Sequence, residues 1–164
     1  LKRKHNNLLS VIIPRHVERS NELIEMFNHH KLNVHCHSWK SKIPEKTDIY
    51  LVDTYGETEK FFNLIKIVFV GGSFVKHGGQ NPLEPVRHGC FVLYGPYVNN
   101  FKNIYNYLDK INLSKKVNNI QNLNKKIKIL FKNKNKSKLV VRKVKKFGDK
   151  ILISTVKEIE RVLN

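Results

Sequence analysis

Five short stretches, "LLSVIIP", "LNVHCHSW", "DIYLVD", "KIVFVGG" and "FVLYGP", are rich in β-branched and aromatic residues and each ends on polar residues, glycine or proline. Runs of this length suit strands rather than helices. Between them lie segments with helical spacing. "VERSNELIEMFNHHKL" places Leu23, Ile24, Phe27 and Leu32 on one side, "ETEKFFNLI" does the same with Phe61, Phe62 and Ile65, and "NPLEPVRHGC" and "FKNIYNYLDKI" read as two further helices. Strands alternating with helices imply an α/β fold, a parallel sheet flanked by helices. The consecutive apolar residues of "KIVFVGG" imply a strand buried on both faces. The last third, with "IQNLNKKIKILF" and "GDKILISTVKEIERVLN", reads as a helical C-terminal tail without a strand. At 164 residues the chain is expected to form one domain over 1–164, a size that supports a single core.

In an open parallel sheet, ligands sit at the carboxyl ends of the strands. The segments at that edge are "PRH", "DTYGE", "GGSFVKHGGQNPLEP" and "GPYVNNF". Connections between strand and helix need only a few residues. The third is far longer and carries two glycine pairs, Gly71–Gly72 and Gly78–Gly79. One pair satisfies a tight turn, and two allow backbone amides to approach a ligand, which makes all four candidate backbone phosphate contacts. In "NPLE", Asn81 as N-cap, Pro82 at the first helical position and Glu84 two residues on form a good helix start. The same geometry would hold an anion on free amides and offer a carboxylate to ribose hydroxyls, so both readings stand. In "DTYGE", Asp53 or Thr54 suits a cap, and Glu57 suits either the first turn of a helix or a ligand. Arg15, directly after Pro14, has little capping role, and its planar fork suits a phosphate or carboxylate.

Other classes of function fall away. "GGSFVKHGG" lacks the Gly-Lys-Ser/Thr ending of a phosphate-binding P-loop, and no strand is followed by G-x-G-x-x-G, which disfavours NAD or FAD. His16, His77 and His88 lack metal-motif spacing and read as surface or cap residues. Cys36 and Cys90 share no metal-like spacing either, and two thiols in a chain of this size read as small apolar residues of a reducing compartment. No cofactor and no metal are expected. No apolar run approaches the roughly 20 residues of a membrane span, and the apolar part of "LKRKHNNLLSVII" is too short for a signal peptide. Net charge is +18, from 31 Lys and Arg against 13 Asp and Glu. From Lys102 onward there are 18 basic and 4 acidic residues, so +14 belongs to the tail. That charge suits an anionic surface. The tail lacks the interleaved aromatics of single-strand binders, so no nucleic-acid partner is expected, though a basic nucleic-acid-binding module remains a rival reading.

Taken in order, "VIIPRHVERSNEL", "DIYLVDTYGE" and "FVGGSFVKHGGQNPLEPVRHGCFVLYGPYVNNF" resemble the C-terminal half of the 3-deoxy-D-manno-octulosonic acid (Kdo) transferases of Gram-negative bacteria, over roughly Val11 to Phe101. The resemblance implies a Rossmann-like domain, the CMP-sugar-binding C-terminal half of a GT-B glycosyltransferase that moves Kdo from CMP-Kdo to a lipid A precursor. It implies substrate-binding roles for Pro14 and Arg15, for Tyr55, Gly56 and Glu57, and for Asn81, Pro82, Leu83 and Glu84. It also implies action at the cytoplasmic face of the bacterial inner membrane, with the anionic membrane surface as a partner. The acceptor-binding N-terminal domain, its membrane anchor and its general-base glutamate are expected outside this chain, so no catalytic residue is assigned here and the isolated chain is expected to be inactive. Tyr55, Gln80 and Tyr97 depart from the family's usual methionine, histidine and histidine, and the last two receive no role. Another GT-B glycosyltransferase or a nucleotide-sugar epimerase domain would share the fold.

Overall fold

The computed structural model describes residues 8–132, and the expected helix over "GDKILISTVKEIERVLN" lies outside them. The chain divides into two compact units, at Thr58 and Glu59. In the first, β1 (Ser10–Ile12) leads through a 3-10 turn (Val17–Arg19) into α1 (Ser20–His29), followed by β2 (Val34–Cys36), a second 3-10 turn (His37–Trp39) and β3 (Ile49–Leu51). The strands pair in parallel in the order β1-β3-β2, so β3 is central. Ile49 and Leu51 are buried and Tyr50 half-buried, the alternation a central strand requires.

Helix α2 (Thr58–Leu64) opens the second unit, followed by β4 (Ile67–Phe69), α3 (Leu83–Arg87), β5 (Phe91–Tyr94), a 3-10 turn (Asn99–Phe101), α4 (Lys102–Lys110), β6 (Ser114–Lys116) and α5 (Ile120–Lys132). These strands are also parallel, in the order β4-β5-β6. Its core joins Val70, Val86, Val92, Tyr94, Val98, Tyr105, Leu108 and Leu113. Tyr105 and Tyr94 pack ring to ring at 4.2 Å, and Asp109 accepts hydrogen bonds from the Tyr94 hydroxyl at 2.8 Å and the Ser114 hydroxyl at 2.5 Å.

The parallel pairing and flanking helices agree with the α/β expectation. Two details differ. β4 lies at the edge of its ladder and is half-buried throughout, whereas β5 takes the central, buried place. β6 has the sequence Ser-Lys-Lys and carries no apolar signal of its own. It is held by the buried Leu113 and Val117 on either side, and its lysines point to solvent at a strand edge, where charge discourages further pairing.

The loops after β4 and β5 are joined by one buried serine. Ser73 is fully buried; its hydroxyl donates to the Val70 carbonyl at 2.5 Å and accepts the Gly95 amide at 2.9 Å, while its carbonyl accepts the Tyr97 amide at 2.9 Å. A Cβ on Gly95 would stand 2.2 Å from the Ser73 carbonyl oxygen, closer than any side chain tolerates. Gly95→Ala is therefore expected to destabilise the protein by at least about 1–3 kcal/mol through overpacking. Ser73→Ala, which leaves the Gly95 amide buried without its acceptor, is expected to cost about 1–3 kcal/mol. Urea unfolding followed by tryptophan fluorescence and far-UV circular dichroism measures both, and an unchanged midpoint for either would show that this junction does not hold the loops.

Both cysteines are buried and free. The Cys90 thiol faces the Phe62 and Ile65 carbonyls, each at 3.3 Å, and burial pushes its pKa from 9.0 to about 11. The folded state therefore disfavours the thiolate: the stabilisation is complete below pH 9 and is lost as pH rises toward 11. Two pH units correspond to about 2–3 kcal/mol. Stability measured by urea unfolding is expected to fall across that window, and Cys90→Ala is expected to make the fall shallower.

Candidate functional site

In the first unit, the segment after β3 is braced on both sides. β3 has β1 on one flank and β2 on the other, so the loops leaving all three strands begin side by side. Toward β1, the Tyr55 hydroxyl donates to Glu18 of the turn before α1. That hydrogen bond pulls the Glu18 carboxyl below its usual range and pushes the Tyr55 hydroxyl above its own. Toward β2, Asp53 accepts from the Ser38 amide at 2.9 Å and the Ser38 hydroxyl at 2.5 Å. Asp53 is thus occupied across the ladder rather than at the start of α2. Thr54 likewise turns to Glu57, donating to its Oε2 at 3.0 Å, and His37 Nε2 meets the same oxygen. On its other side, His37 Nδ1 lies 2.7 Å from the Tyr50 hydroxyl. Burial first, then the nearby Asp53 and Glu57 carboxylates, push the Tyr50 hydroxyl above its usual range.

Against these paired groups, Arg15 stands out. It follows half-buried Pro14 at the end of the β1 segment, is exposed, and its guanidinium has no hydrogen bond or ion pair among the described residues. Gly56 takes φ +80°, a conformation that favours glycine, and a Cβ there would meet nothing within 4 Å. Tyr55 is 64% exposed. The first unit therefore presents an unpaired guanidinium, an exposed aromatic ring and a braced carboxylate on the loops that follow adjacent strands.

In the second unit, the two glycine pairs have different explanations. Gly78 and Gly79 are buried, have φ of +90° and +72°, and pack under the loop after β5: a Cβ on Gly78 would strike the Asn100 amide at 2.4 Å, and one on Gly79 would meet Val98 at 3.0 Å. Packing within the chain accounts for both. Gly72 has φ +69° and lies against His77. Gly71 is exposed, has no positive φ, and a Cβ there would have open space for 4 Å. Its lack of a side chain answers no demand of the fold, which leaves Gly71 as the glycine with room for a ligand.

"NPLE" is held from behind. The buried Tyr105 donates its hydroxyl to the Gln80 carbonyl at 2.9 Å, and Asn81 Oδ1 accepts the Leu83 amide at 3.0 Å. Asn81 thus caps the Leu83 amide from one residue before Pro82, which takes the N-cap position of α3 without a side-chain cap bond and is buried, so the expected places of Asn81 and Pro82 are shifted by one. Leu83 is half-buried, and Glu84 is exposed with no side-chain partner among the described residues, so the reciprocal half of a capping box is not made. The cap explains Asn81 and leaves Glu84 unexplained. His88 is occupied, its Nδ1 2.9 Å from Asn63 Oδ1 and its Nε2 3.9 Å from Glu59. His16 and His77 are exposed. Among the described residues no group of three or more His, Cys, Asp or Glu is placed to hold a metal.

The residues that sequence reasoning missed are those that position the others: Glu18, His37, Ser38, Tyr50, Ser73 and Tyr105. Gln80 and Tyr97, which had no role, both act through backbone groups, Gln80 as acceptor for Tyr105 and Tyr97 as donor to Ser73.

No family model matches the chain. Among curated proteins it is 37% identical over 108 residues to the 3-deoxy-D-manno-octulosonic acid transferase of Haemophilus influenzae, a match covering 66% of this chain and 25% of that protein. It is 31% identical over 139 residues to the enzyme of the same name from Rickettsia typhi, covering 85% of this chain and 30% of that protein. The chain thus spans between a quarter and a third of these relatives. Among solved structures, the C-terminal CMP-Kdo binding domain of WaaA from Acinetobacter baumannii superposes with a TM-score of 0.79 at 27% identity, over 88% of this chain and 76% of that one. The order of parallel strands and helices, the motifs at their carboxyl ends and these likenesses agree: the chain belongs to the 3-deoxy-D-manno-octulosonic acid transferase family and has the Rossmann-like fold of its C-terminal GT-B domain.

Proposed function

We propose that this chain is the donor-binding part of a glycosyltransferase that moves Kdo from CMP-Kdo to a lipid A precursor in lipopolysaccharide biosynthesis. The observation that carries the reading is the likeness, over most of the chain, to a domain described as binding CMP-Kdo. The site residues support it chemically. CMP-Kdo carries a phosphate and a sugar carboxylate, and its nucleotide and sugar are rich in hydroxyls. Arg15, exposed and unpaired, faces the anionic groups; Glu84 and the braced Glu57 accept hydrogen bonds from hydroxyls; Gly71 lets backbone approach the phosphate, with Gly72 beside it. Pro14, Tyr55, Gly56, Asn81, Pro82 and Leu83 shape the loops that carry these groups, as do Gly78 and Gly79 through their packing. A site without metal supplies its positive potential from guanidinium and amide groups. None of these residues is proposed as the base that deprotonates the acceptor hydroxyl; their role is to hold the donor.

This reading sets a clear order of affinities. In calorimetry the chain is expected to bind CMP more tightly than AMP or GMP. Glu84→Gln is expected to weaken CMP binding about tenfold or more, the scale of a hydrogen bond to a charged group, without lowering the melting temperature. Arg15→Ala is expected to do the same. A lowered melting temperature with unchanged affinity would make Glu84 a helix-start residue only, and equal affinity for all three nucleotides would point to another member of the GT-B class.

The membrane face follows from charge. We propose that the basic C-terminal part meets the anionic surface of the inner membrane on its cytoplasmic side, where the lipid acceptor is anchored. Its described portion carries Lys102, Lys110, Lys115, Lys116, Lys125, Lys126, Lys128 and Lys132, and no helix among the described residues is long and apolar enough to cross a membrane. Each lysine or arginine near such a surface contributes about 1 kcal/mol. Co-sedimentation with vesicles containing anionic lipid is expected to exceed that with neutral vesicles and to weaken with salt; equal binding to both would reject this orientation.

A further inference from the structure

We propose that His37 is a positioning residue for Glu57: it fixes the carboxylate in the rotation from which Glu57 accepts hydroxyl groups of the nucleotide donor. The inference rests on the donor-binding reading above and adds to it a residue outside the motifs that carry the family resemblance.

Gly56, at φ +80°, gives the backbone before Glu57 a conformation that favours glycine. A glutamate side chain has several rotamers, and a carboxylate that must be ordered on binding loses affinity to its own conformational entropy. The structure removes that freedom from one side. Thr54 and His37 both address Oε2, which sets the plane of the carboxylate and gives Oε1 a fixed direction. The Glu57 side chain keeps 24% of its surface exposed, so the group is held without being enclosed.

His37 is itself held by the fold. Its Nδ1 lies 2.7 Å from the Tyr50 hydroxyl, and its ring meets the Tyr50 ring edge-on at 5.8 Å. Tyr50 sits in the central strand and stacks on His35, its register partner in β2, at 5.8 Å; Trp39 closes the other side of His35 at 5.2 Å. The turn that carries His37 is pinned by the paired hydrogen bonds of Ser38 to Asp53. Nε2 carries the hydrogen that it donates to the Glu57 carboxylate, and Nδ1 shares a hydrogen bond with the Tyr50 hydroxyl. Rigidity of the central strand is thereby transmitted through one imidazole to a carboxylate at the strand edge. A first group held by partners that are themselves locked is the arrangement that preorganised binding sites require.

The test separates positioning from simple stitching of the loop. CMP binding to the full chain is measured by calorimetry at pH 7.5, with a melt for each variant. His37→Phe is expected to weaken CMP about five- to tenfold. His37→Gln is expected to stay within about twofold of the unaltered chain, because its amide donates from near the position of Nε2. In a Glu57→Gln background, His37→Phe is expected to add nothing further, since a residue acting through another shows a coupling of this kind. Unchanged affinity in His37→Phe, equal losses in the Phe and Gln variants, or additive losses would each overturn the inference. Should His37→Phe fail to fold, Tyr50→Phe releases Nδ1 while leaving Glu57 and His37 in place: a loss of about two- to threefold that disappears in the Glu57→Gln background supports the inference, and no loss overturns it. A chain that binds no CMP at all overturns the donor-binding reading and this inference with it, whereas intact binding with any of the contrary results overturns the inference alone.

Discussion

Strands of three or four residues end almost as soon as they begin, so the backbone groups released at their carboxyl ends must find partners in the loops that follow. That demand organises both units. In the second it is met by Ser73, whose hydroxyl and carbonyl join the loop after β4 to the loop after β5 within a fully buried junction. In the first, Asp53 takes the Ser38 amide of the turn after β2, and Tyr55 adds a side-chain bond to Glu18 in the turn before α1. Loops built this way are held because the bonds that finish the sheet are the bonds that shape them.

The same demand explains why a glycine-rich loop is a poor guide when read as a whole. Gly78, Gly79 and Gly95 are required because Asn100, Val98 and Ser73 occupy the space a side chain would need. Their role is to let two loops pack together. Gly71 has no such neighbour and no unusual φ. Only the folded structure divides the pairs, since in sequence Gly71–Gly72 and Gly78–Gly79 look alike. Gly71 has open space beside it, whereas Gly72 lies against His77 and the second pair is filled by the loop after β5.

Much of the fold was legible because hydrophobic period and length decide it: the runs at Ser10–Ile12, Ile49–Leu51 and Phe91–Tyr94 are strands, and the spacing of Phe61 and Phe62 or of Tyr105 and Leu108 is helical. β6 was not legible, because Ser114–Lys116 is a strand by virtue of its neighbours, with Leu113 and Val117 anchoring an otherwise polar segment. The loops expected at the ligand edge do follow the strands, since that expectation rests on topology. Their supporting residues were hidden for a different reason. His37 and Glu57 are twenty residues apart, and Tyr105 and Gln80 twenty-five, so their meeting depends on strand order, and no local pattern encodes it. Asp53 shows the limit of local rules, for it reads in sequence as a cap of the following helix, but that helix starts only at Thr58 and Asp53 is drawn instead to Ser38 across the ladder.

What then distinguishes a charged group kept for a ligand from one that serves the fold is its set of partners. Asp53, Glu18 and Asp109 accept hydrogen bonds from groups of neighbouring elements. Arg15 and Glu84 have none among the described residues, although Arg15 follows the half-buried Pro14 and Glu84 precedes the buried Pro85. An exposed charge without a partner contributes little to stability, whichever sign it has. At a loop tip that freedom would be unremarked. Beside Pro14 and Pro85 the backbone is constrained while the charge is not engaged, and that combination of a fixed base and an unmet head group is what a pre-formed binding site needs in order to recognise an ion without first reorganising itself.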